Sequence, residues 1–447
     1  KILYCSENSN AINIIEQKLV YCKNADLQQK TISPDIKINV KTDYINCRAI
    51  NSRRIDLRGA ISADITVKDI VEHQLISDAD GMGVQLYRVP VTYPTNRIFT
   101  EKQVIVTDEI ELGASKSPIG SIIYADAAVI TSDKKIIANK IVVKGELNVN
   151  MLYTFNDNSL CGAETMQFSI PFSQIIDMEG IDDNYECKVD IDVICCEIHP
   201  VSSGNGTSDT AECRTELLIK CSGFCISTVE LATDHYSTGY ESDSVNINVS
   251  IGSVPEYINK TITLKSSIED DMFIPEQIYG VRCTVSNCMC FVDSSEHITL
   301  NGTAEYTIFG CTNENTPFVN NKTESFTTEI PFETTNENCT IDISVNPVLS
   351  TYNIVSENKI DISSELNICG TVQCNDTING ITEIEINDEL SSSDMQDCAL
   401  KLYFAQSGES IWDIAKHYKA SLNAITEEND LTENLINENC MLIIPMA

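Results

Sequence analysis

Residues 189–193 read Val-Asp-Ile-Asp-Val, with apolar and acidic side chains in strict alternation. Successive side chains of a β-strand point to opposite faces, so this stretch predicts a strand with one buried and one solvated face. The same pattern occurs as Ile-Lys-Ile-Asn-Val at 36–40 and as Ile-Asp-Ile-Ser-Val at 341–345, a spacing of about 150 residues. We therefore interpret the three stretches as one strand of an internal repeat.

A second alternating run follows each of these strands after a turn of variable length. The runs extend from Ile55 to Val67, from Leu217 to Val229 and from Ile360 to Val372. Two alternating runs joined by a turn are typical of a β-hairpin. The sequence therefore predicts three equivalent hairpins.

Two more strands are predicted ahead of the second and third hairpins. A tyrosine-containing run, at 150–155 or 304–309, is followed by a polar loop and then by Ile-Pro-Phe at 170–172 or 330–332. The order and the spacing are similar in both copies, which supports a repeated domain.

The first copy of the repeat is shorter. Residues 1–8 align with the run that contains Tyr153, and Leu19-Val-Tyr21 takes the place of Ile-Pro-Phe. Because Lys1 already lies within a strand pattern, we expect the first unit to be N-terminally incomplete, and any signal segment would be invisible.

The density of strand patterns and β-branched residues predicts a mainly β fold made of tandem sandwich-like units. Polar stretches at 232–239 and 389–394 are predicted linkers. We place β units at residues 1–90, 91–240 and 241–397, followed by a small α+β module at 398–447.

The composition restricts the class of partner. The chain has 447 residues, of which 42% are hydrophobic, and a formal net charge of −36. This excess of carboxylates repels nucleic-acid phosphates and anionic lipids, and no run of about 18 apolar residues could span a bilayer. We expect neither nucleic-acid binding nor membrane insertion. The carboxylates either maintain solubility or are neutralised by divalent cations or basic partners within a dense assembly.

A helical period replaces the alternation near the C-terminus. An apolar stripe at helical spacing is formed by residues 411, 414, 415 and 418. Gly408 suits a tight turn after a short strand, and Ser410 with Asp413 forms a capping-box pattern at the helix start. A second helix from Ser421 to Ile425 and a closing strand from Cys440 to Pro445 complete the predicted order of strand, helix, helix, strand.

This module resembles the LysM family, whose pattern runs from an aromatic strand through a Gly-Asp-Thr-Leu turn to a final Leu-Ile-Pro. LysM domains bind N-acetylglucosamine-containing glycans in a shallow groove between the loop after the first strand and the loop before the last. Carried over to this sequence, the groove consists of Gly408, Glu409, Ser410, Ile411, Asn429, Asp430, Leu431 and Ile436. Glu409-Ser410 replaces Asp-Thr and Asn439-Cys440 replaces Gly-Gln, which leaves a protein ligand as the alternative.

The repeat resembles the SPOCS domain of sporulation proteins of the SipL type, an all-β domain found in tandem ahead of a LysM domain. The resemblance is carried by the strands of Tyr153 and Tyr306, by Ile-Pro-Phe and by the alternating strands that follow. It implies a structural or morphogenetic protein of the spore coat or exosporium, made in the mother cell.

Three roles remain open within this resemblance. The first is a protein that self-assembles through its β units, is cross-linked by disulfides and is anchored by LysM. The second is a non-polymerising adaptor that binds peptidoglycan or a coat morphogenetic protein through LysM. The third is a secreted protein held on the vegetative cell wall.

Nineteen cysteines are many for a chain of this length and point to a compartment in which thiols become cross-linked. The odd number leaves at least one thiol for another chain or without a partner. The candidate cross-linking residues are Cys195, Cys196, Cys221, Cys225, Cys283, Cys288 and Cys290. Buried thiols and a metal site are the alternatives, but the paired C-x-x-C spacing of zinc sites is missing, so we predict no metal.

Catalytic patterns are also missing from the sequence. The five histidines are scattered, and no H-E-x-x-H, G-x-S-x-G or P-loop motif is present. We therefore expect no enzyme and no cofactor. Trp412, the only tryptophan, is expected to pack in the core of the C-terminal module rather than to contact a ligand.

Overall fold

The computed structural model describes residues 2–5, 12–27, 30–31, 34–69, 71–155, 162–201, 208–269, 275–294, 296–314, 316–333, 338–356, 358–391 and 399–446. Strands account for 75% of the structure, and the two helices in the described ranges lie near the C-terminus, which confirms the predicted fold class. Among the described residues, we find no helix with the length and apolar character needed to cross a membrane.

The elements follow one another along the chain with few irregular connections. The strands are β1 (Ile2–Cys5), β2 (Ile12–Ile15), β3 (Asp35–Asn51), β4 (Arg54–Lys68), β5 (Val84–Glu111), β6 (Ser121–Ile137), β7 (Lys140–Thr154), β8 (Ala163–Asp177), β9 (Tyr185–Val201), β10 (Thr210–Ser237), β11 (Tyr240–Gly252), β12 (Glu256–Glu269), β13 (Pro275–Ser294), β14 (His297–Thr312), β15 (Pro317–Pro331), β16 (Cys339–Ser356), β17 (Lys359–Ser391), β18 (Leu400–Ala405) and β19 (Cys440–Pro445), and the helices are α1 (Ile411–Tyr418) and α2 (Leu422–Glu428).

The three predicted hairpins are confirmed. Strands β3 and β4, β9 and β10, and β16 and β17 pair antiparallel, with Ile36 opposite Val67 in the first pair. Val189 lies opposite Cys221, and Ile341 lies opposite Val372, so the alternating strands occupy equivalent places. The shared register shows that the repeat seen in the sequence is a repeat of structure.

In the second and third repeats, the sheet that contains the predicted hairpin shares an apolar core with a separate three-stranded antiparallel sheet. Sheet β6-β7-β8 shares one apolar core with sheet β5-β10-β9. Sheet β13-β14-β15 shares another with the sheet that contains β12, β17 and β16. Leu217 and Ile219 in the first core, and Leu366 in the second, are fully buried. Each buried aliphatic side chain contributes about 1.5–3 kcal/mol by removal from water.

The tyrosines of the predicted opening strands occupy equivalent core positions. Tyr153 on β7 and Tyr306 on β14 are both fully buried. The hydroxyl of Tyr153 donates to Glu164 on the neighbouring strand at 2.9 Å, which satisfies its polar end. The repeated tyrosine therefore serves the core of the sandwich.

The predicted linker at 232–239 is wrong for its first six residues, because β10 continues through Ser237 and buries Ala232 and Tyr236. Leu19-Val-Tyr21 does not continue the strand that precedes it, since β2 ends at Ile15. The predicted linker at 389–394 is wrong for its first three residues, because β17 continues through Ser391, and the other three lie outside the described residues.

The chain forms two compact units. The first consists of Lys1–Gln17, Leu86–His235 and Asn248–Asn379 and contains both sandwiches. The second consists of Lys18–Gln85, Tyr236–Ile247 and Gly380–Ala447 and contains the β3–β4 hairpin and the C-terminal module. The domain limits predicted near residues 90, 240 and 398 stay predictions.

Candidate ligand groove

The C-terminal module is a two-stranded sheet with two helices. Strands β18 and β19 pair antiparallel, with Leu400 opposite Pro445 and Ala405 opposite Cys440. The apolar stripe of α1 buries Ile411, Ile414 and Ala415, as its helical spacing predicts. The predicted order of strand, helix, helix, strand is confirmed.

The turn that leads into α1 follows the prediction only in part. Gly408 has a φ of +92°, a conformation that favours glycine. Ser410 occupies the N-cap position, but its side chain makes no capping hydrogen bond, so the predicted capping box is wrong. In α2, by contrast, the Ser421 hydroxyl accepts from the Ala424 amide at 3.4 Å.

The two loops that were predicted to flank a groove are joined by backbone hydrogen bonds. The Gly408 amide donates to the Ile436 carbonyl at 2.7 Å, and the Ile436 amide donates to the Glu409 carbonyl at 2.9 Å. The Ile411 amide donates to the Asn434 carbonyl at 2.9 Å. These backbone groups are therefore already paired and hold the second loop against the start of α1.

Several of the predicted groove residues use their side chains inside the module. The side-chain Nδ2 of Asn429 donates to the backbone carbonyls of Ile425 and Ile443, at 2.8 and 2.7 Å. Its side-chain Oδ1 accepts from the backbone N–H of Ile443 at 2.7 Å. The Glu409 carboxylate accepts from the Tyr403 hydroxyl at 3.0 Å, and this bond raises the pKa of Tyr403. Ile411 and Ile436 are buried in the core.

A shallow depression of about 230 Å³ lies along the second loop. It is lined by Asp430, Leu431, Thr432, Glu433, Leu435, Ile436, Asn437, Glu438 and Cys440. The structure thus brings together Asp430, Leu431 and Ile436 from the predicted set, whereas Gly408, Glu409, Ser410, Ile411 and Asn429 do not line the depression. Leu435 also lines the depression, is 56% exposed, and was not among the residues predicted from the sequence. Leu435 could have been recognised as a candidate, because it is an apolar residue in a polar loop that the sequence had already assigned to the groove.

Replacing Asn429 with alanine should lower the stability of the module by about 2 kcal/mol, because three side-chain hydrogen bonds are lost, two of which join the end of α2 to β19. Urea unfolding followed by Trp412 fluorescence measures this effect. Asn423→Ala, on the exposed side of α2, is the matched control and should leave the midpoint unchanged. Unchanged stability in Asn429→Ala together with lost glycan binding would instead assign the side chain to the ligand.

Trp412 is buried, which confirms its predicted packing role, but one of its neighbours comes from outside the module. The Tyr236 ring at the end of β10 meets Trp412 edge to face, with 5.0 Å between ring centroids. The Tyr236 hydroxyl donates to the Ala420 carbonyl at 2.7 Å, and Lys419 pairs with Glu241 on β11. The module is therefore fixed to the turn between β10 and β11.

The candidate cross-linking cysteines differ in accessibility. Cys288 is exposed, and three others are half-buried: Cys195, Cys225 and Cys290. Cys196, Cys221 and Cys283 are buried, and burial raises the pKa of Cys221 to about 12 and that of Cys283 to about 11. Because the thiolate is the reactive form, the buried thiols react slowly at neutral pH.

A disulfide joins two cysteines that were not among the candidates. Cys339 and Cys374 lie opposite each other on β16 and β17 and are bonded. The sequence contained a partial signal, because Cys339 lies two residues before Ile341 and Cys374 lies two residues after Val372. The signal was incomplete, because only the register between the two strands shows that the cysteines face each other.

Tandem β-sandwich repeats followed by a βααβ module with a shallow surface depression define a β-rich repeat protein with a small α+β C-terminal domain. Residues 118–200 match the family described as SipL, SPOCS domain, and residues 403–445 match the LysM domain. No curated protein and no solved structure matches the chain. The chain therefore carries a SPOCS domain and a C-terminal LysM domain, as predicted.

The two matches define the general role. A SPOCS domain and a LysM domain in one chain indicate a sporulation-related protein that binds peptidoglycan. The LysM domain supports recognition of N-acetylglucosamine-containing glycan, and both domains fit a spore-associated protein that binds the cell wall.

Proposed function

We propose that this chain is a non-enzymatic structural protein of the spore coat or exosporium, made in the mother cell, that self-associates through its β units and is anchored by its LysM domain. The observation that carries the proposal is the combination of β-sandwich repeats and a LysM domain in one chain. Neither part needs a catalytic group, because sheets supply surfaces for association and the module supplies the anchor.

The anchoring site is the depression along the second LysM loop. Leu435 offers an exposed apolar surface for a sugar face, and the carboxylates of Asp430, Glu433 and Glu438 are acceptors for hydroxyl and acetamido N–H groups. An N-acetylglucosamine unit is neutral and is not repelled by these carboxylates. The chemistry therefore favours the N-acetylglucosamine units of peptidoglycan.

Replacing Leu435 with alanine should weaken binding of the full chain to purified spore-cortex sacculi about tenfold, because roughly 1.4 kcal/mol of apolar contact is lost. Sedimentation of the protein with sacculi over a concentration series measures the affinity. The matched control is Leu402→Ala, since Leu402 is 71% exposed on β18 and does not line the depression. Equal binding by both variants, or no binding by the unmodified chain, would remove the proposed glycan site.

Self-association and cross-linking are proposed from the accessible thiols and strand surfaces. Cys22, Cys47 and Cys288 are exposed and can reach a second chain. Negative-stain electron microscopy beside a non-reducing gel, with and without reductant, separates the alternatives. Ordered assemblies with ladders that collapse on reduction support a cross-linked structural protein. Uniform small particles without intermolecular bonds support the non-polymerising adaptor instead.

A further inference from the structure

Two buried cysteines of the second repeat lie side by side on neighbouring strands. Cys196 on β9 and Cys213 on β10 belong to the same apolar core, and their exposed fractions are 9% and 0%. Thr215 lies directly opposite Cys196, and Cys213 precedes Thr215 by two residues on β10. Because side chains two residues apart on a strand point to the same face, both thiols lie on the core side of the hairpin.

The contacts of the two sulfur atoms show that they are neighbours. The Thr215 hydroxyl donates to the sulfur of Cys196 at 3.6 Å and lies 3.7 Å from the sulfur of Cys213. A hydrogen bond with the Cys196 thiol is the main cause that raises the pKa of Cys213, and burial is the second. The two thiols are therefore in direct contact inside the core.

A β-bulge lies beside this pair. Cys195 is opposite Glu216 and Val193 is opposite Leu217, so the intervening Ile194 has no partner on β10. Diagonal neighbours in an antiparallel pair have Cα atoms about 7–8 Å apart, roughly 1 Å beyond the usual limit for a disulfide. A bulge bends its strand and increases the local twist, which supplies the adjustment that the bond needs.

The third repeat has a disulfide between the equivalent two strands. Cys339 on β16 is bonded to Cys374, directly opposite on β17. Cys187 occupies the place of Cys339 in the second repeat, but Gly223 lies opposite it, so the same bond cannot form there. The second repeat instead brings two thiols together further along the same hairpin.

We propose that Cys196 and Cys213 form an intrachain disulfide when the protein is oxidised, so that β9 is joined to β10 as β16 is joined to β17. This bond goes beyond the function proposed above and does not depend on self-association. It withdraws Cys196 from the residues that can cross-link two chains.

The oxidant is a small disulfide such as glutathione disulfide, and the bond forms by two exchange steps. The Cys196 thiolate attacks one sulfur of glutathione disulfide, whose S–S bond breaks, and the departing glutathione takes up the proton that Cys196 released. The Cys213 sulfur then attacks the Cys196 sulfur of the mixed disulfide, and the second glutathione leaves with the proton of Cys213. The chain loses two electrons and glutathione disulfide gains them. Because the pKa of Cys213 is raised in the closed core, exchange is faster during folding than after it.

Peptide mapping of the refolded full chain tests the bond. The chain is refolded from urea in a glutathione redox buffer at a ratio where the same mapping shows the Cys339–Cys374 bond to be complete. Remaining thiols are then blocked with iodoacetamide in denaturant, and the chain is cleaved after Lys, Arg and Glu. We expect the fragment 189–197 to be linked to the fragment 213–214 in most of the monomer, with the iodoacetamide label on Cys195.

Cys195 provides the matched control, because it adjoins Cys196 and is more exposed. Cys195→Ser should retain the linked fragments, whereas Cys196→Ser should lose them and carry the label on Cys213. If oxidation followed accessibility alone, Cys195 would be linked in place of Cys196.

Either of two results would overturn the inference: iodoacetamide on both Cys196 and Cys213 in chains that contain the Cys339–Cys374 bond, or a link that uses Cys195. Neither result bears on self-association, because the mapping is done on the monomer band of a non-reducing gel. Conversely, a chain that never associates would still show the linked fragments.

Discussion

Replacing Tyr236 with alanine is expected to destabilise the C-terminal module by about 3–5 kcal/mol. The buried ring packs against Trp412 with 5.0 Å between centroids, and its hydroxyl satisfies the Ala420 carbonyl at 2.7 Å. Truncation leaves a cavity beside the tryptophan and an unpaired carbonyl. Because Trp412 is the only tryptophan, its emission should shift to longer wavelength in this variant alone.

The matched control is Tyr236→Phe, which keeps the ring and removes only one hydrogen bond. It should cost about 1 kcal/mol and leave the emission of Trp412 unshifted. Burial raises the pKa of Tyr236, so its contribution is complete below the unfolded pKa of about 10 and declines as the pH rises above it. Tyr236→Phe should therefore weaken the alkaline loss of module stability. An unchanged emission and an unchanged urea midpoint in Tyr236→Ala would refute the contact.

Removing the disulfide by replacing both Cys339 and Cys374 with serine is expected to lower the stability of the third repeat by about 3–4 kcal/mol. The bond closes a segment with a sequence separation of 35, and its loss increases the conformational entropy of the unfolded chain. Urea unfolding with hydrogen exchange on β16 and β17 measures the change and locates it. Reductant added to the unmodified chain should produce a similar loss.

Cys369→Ser provides the control for this substitution. Cys369 also lies on β17, is half-buried and is not in a disulfide, so its replacement should change stability by less than about 1 kcal/mol. If the double variant unfolded at the same urea concentration as Cys369→Ser, the disulfide would contribute nothing to the fold.

Part of the candidate site could be predicted and part could not. The position of the module, its helices and the loop that carries the depression follow from local spacing around Gly408, Ile411 and Ile425. The roles of Asn429 and Glu409 do not, because their side chains bond to groups that the fold brings near them. The same holds for Cys339 and Cys374, whose pairing depends on register across two strands.

The strand faces, the three hairpins, the helical module and the family resemblance could be predicted from the sequence, because alternation and helical period are local properties of the chain. Which of those faces are covered depends on the tertiary structure. Ile65 and Ile219 belong to equivalent strands with the same alternation, yet Ile65 is exposed and Ile219 is fully buried. The physical reason is that burial depends on a second sheet supplied from elsewhere, and a period of two residues specifies an apolar face without specifying its partner.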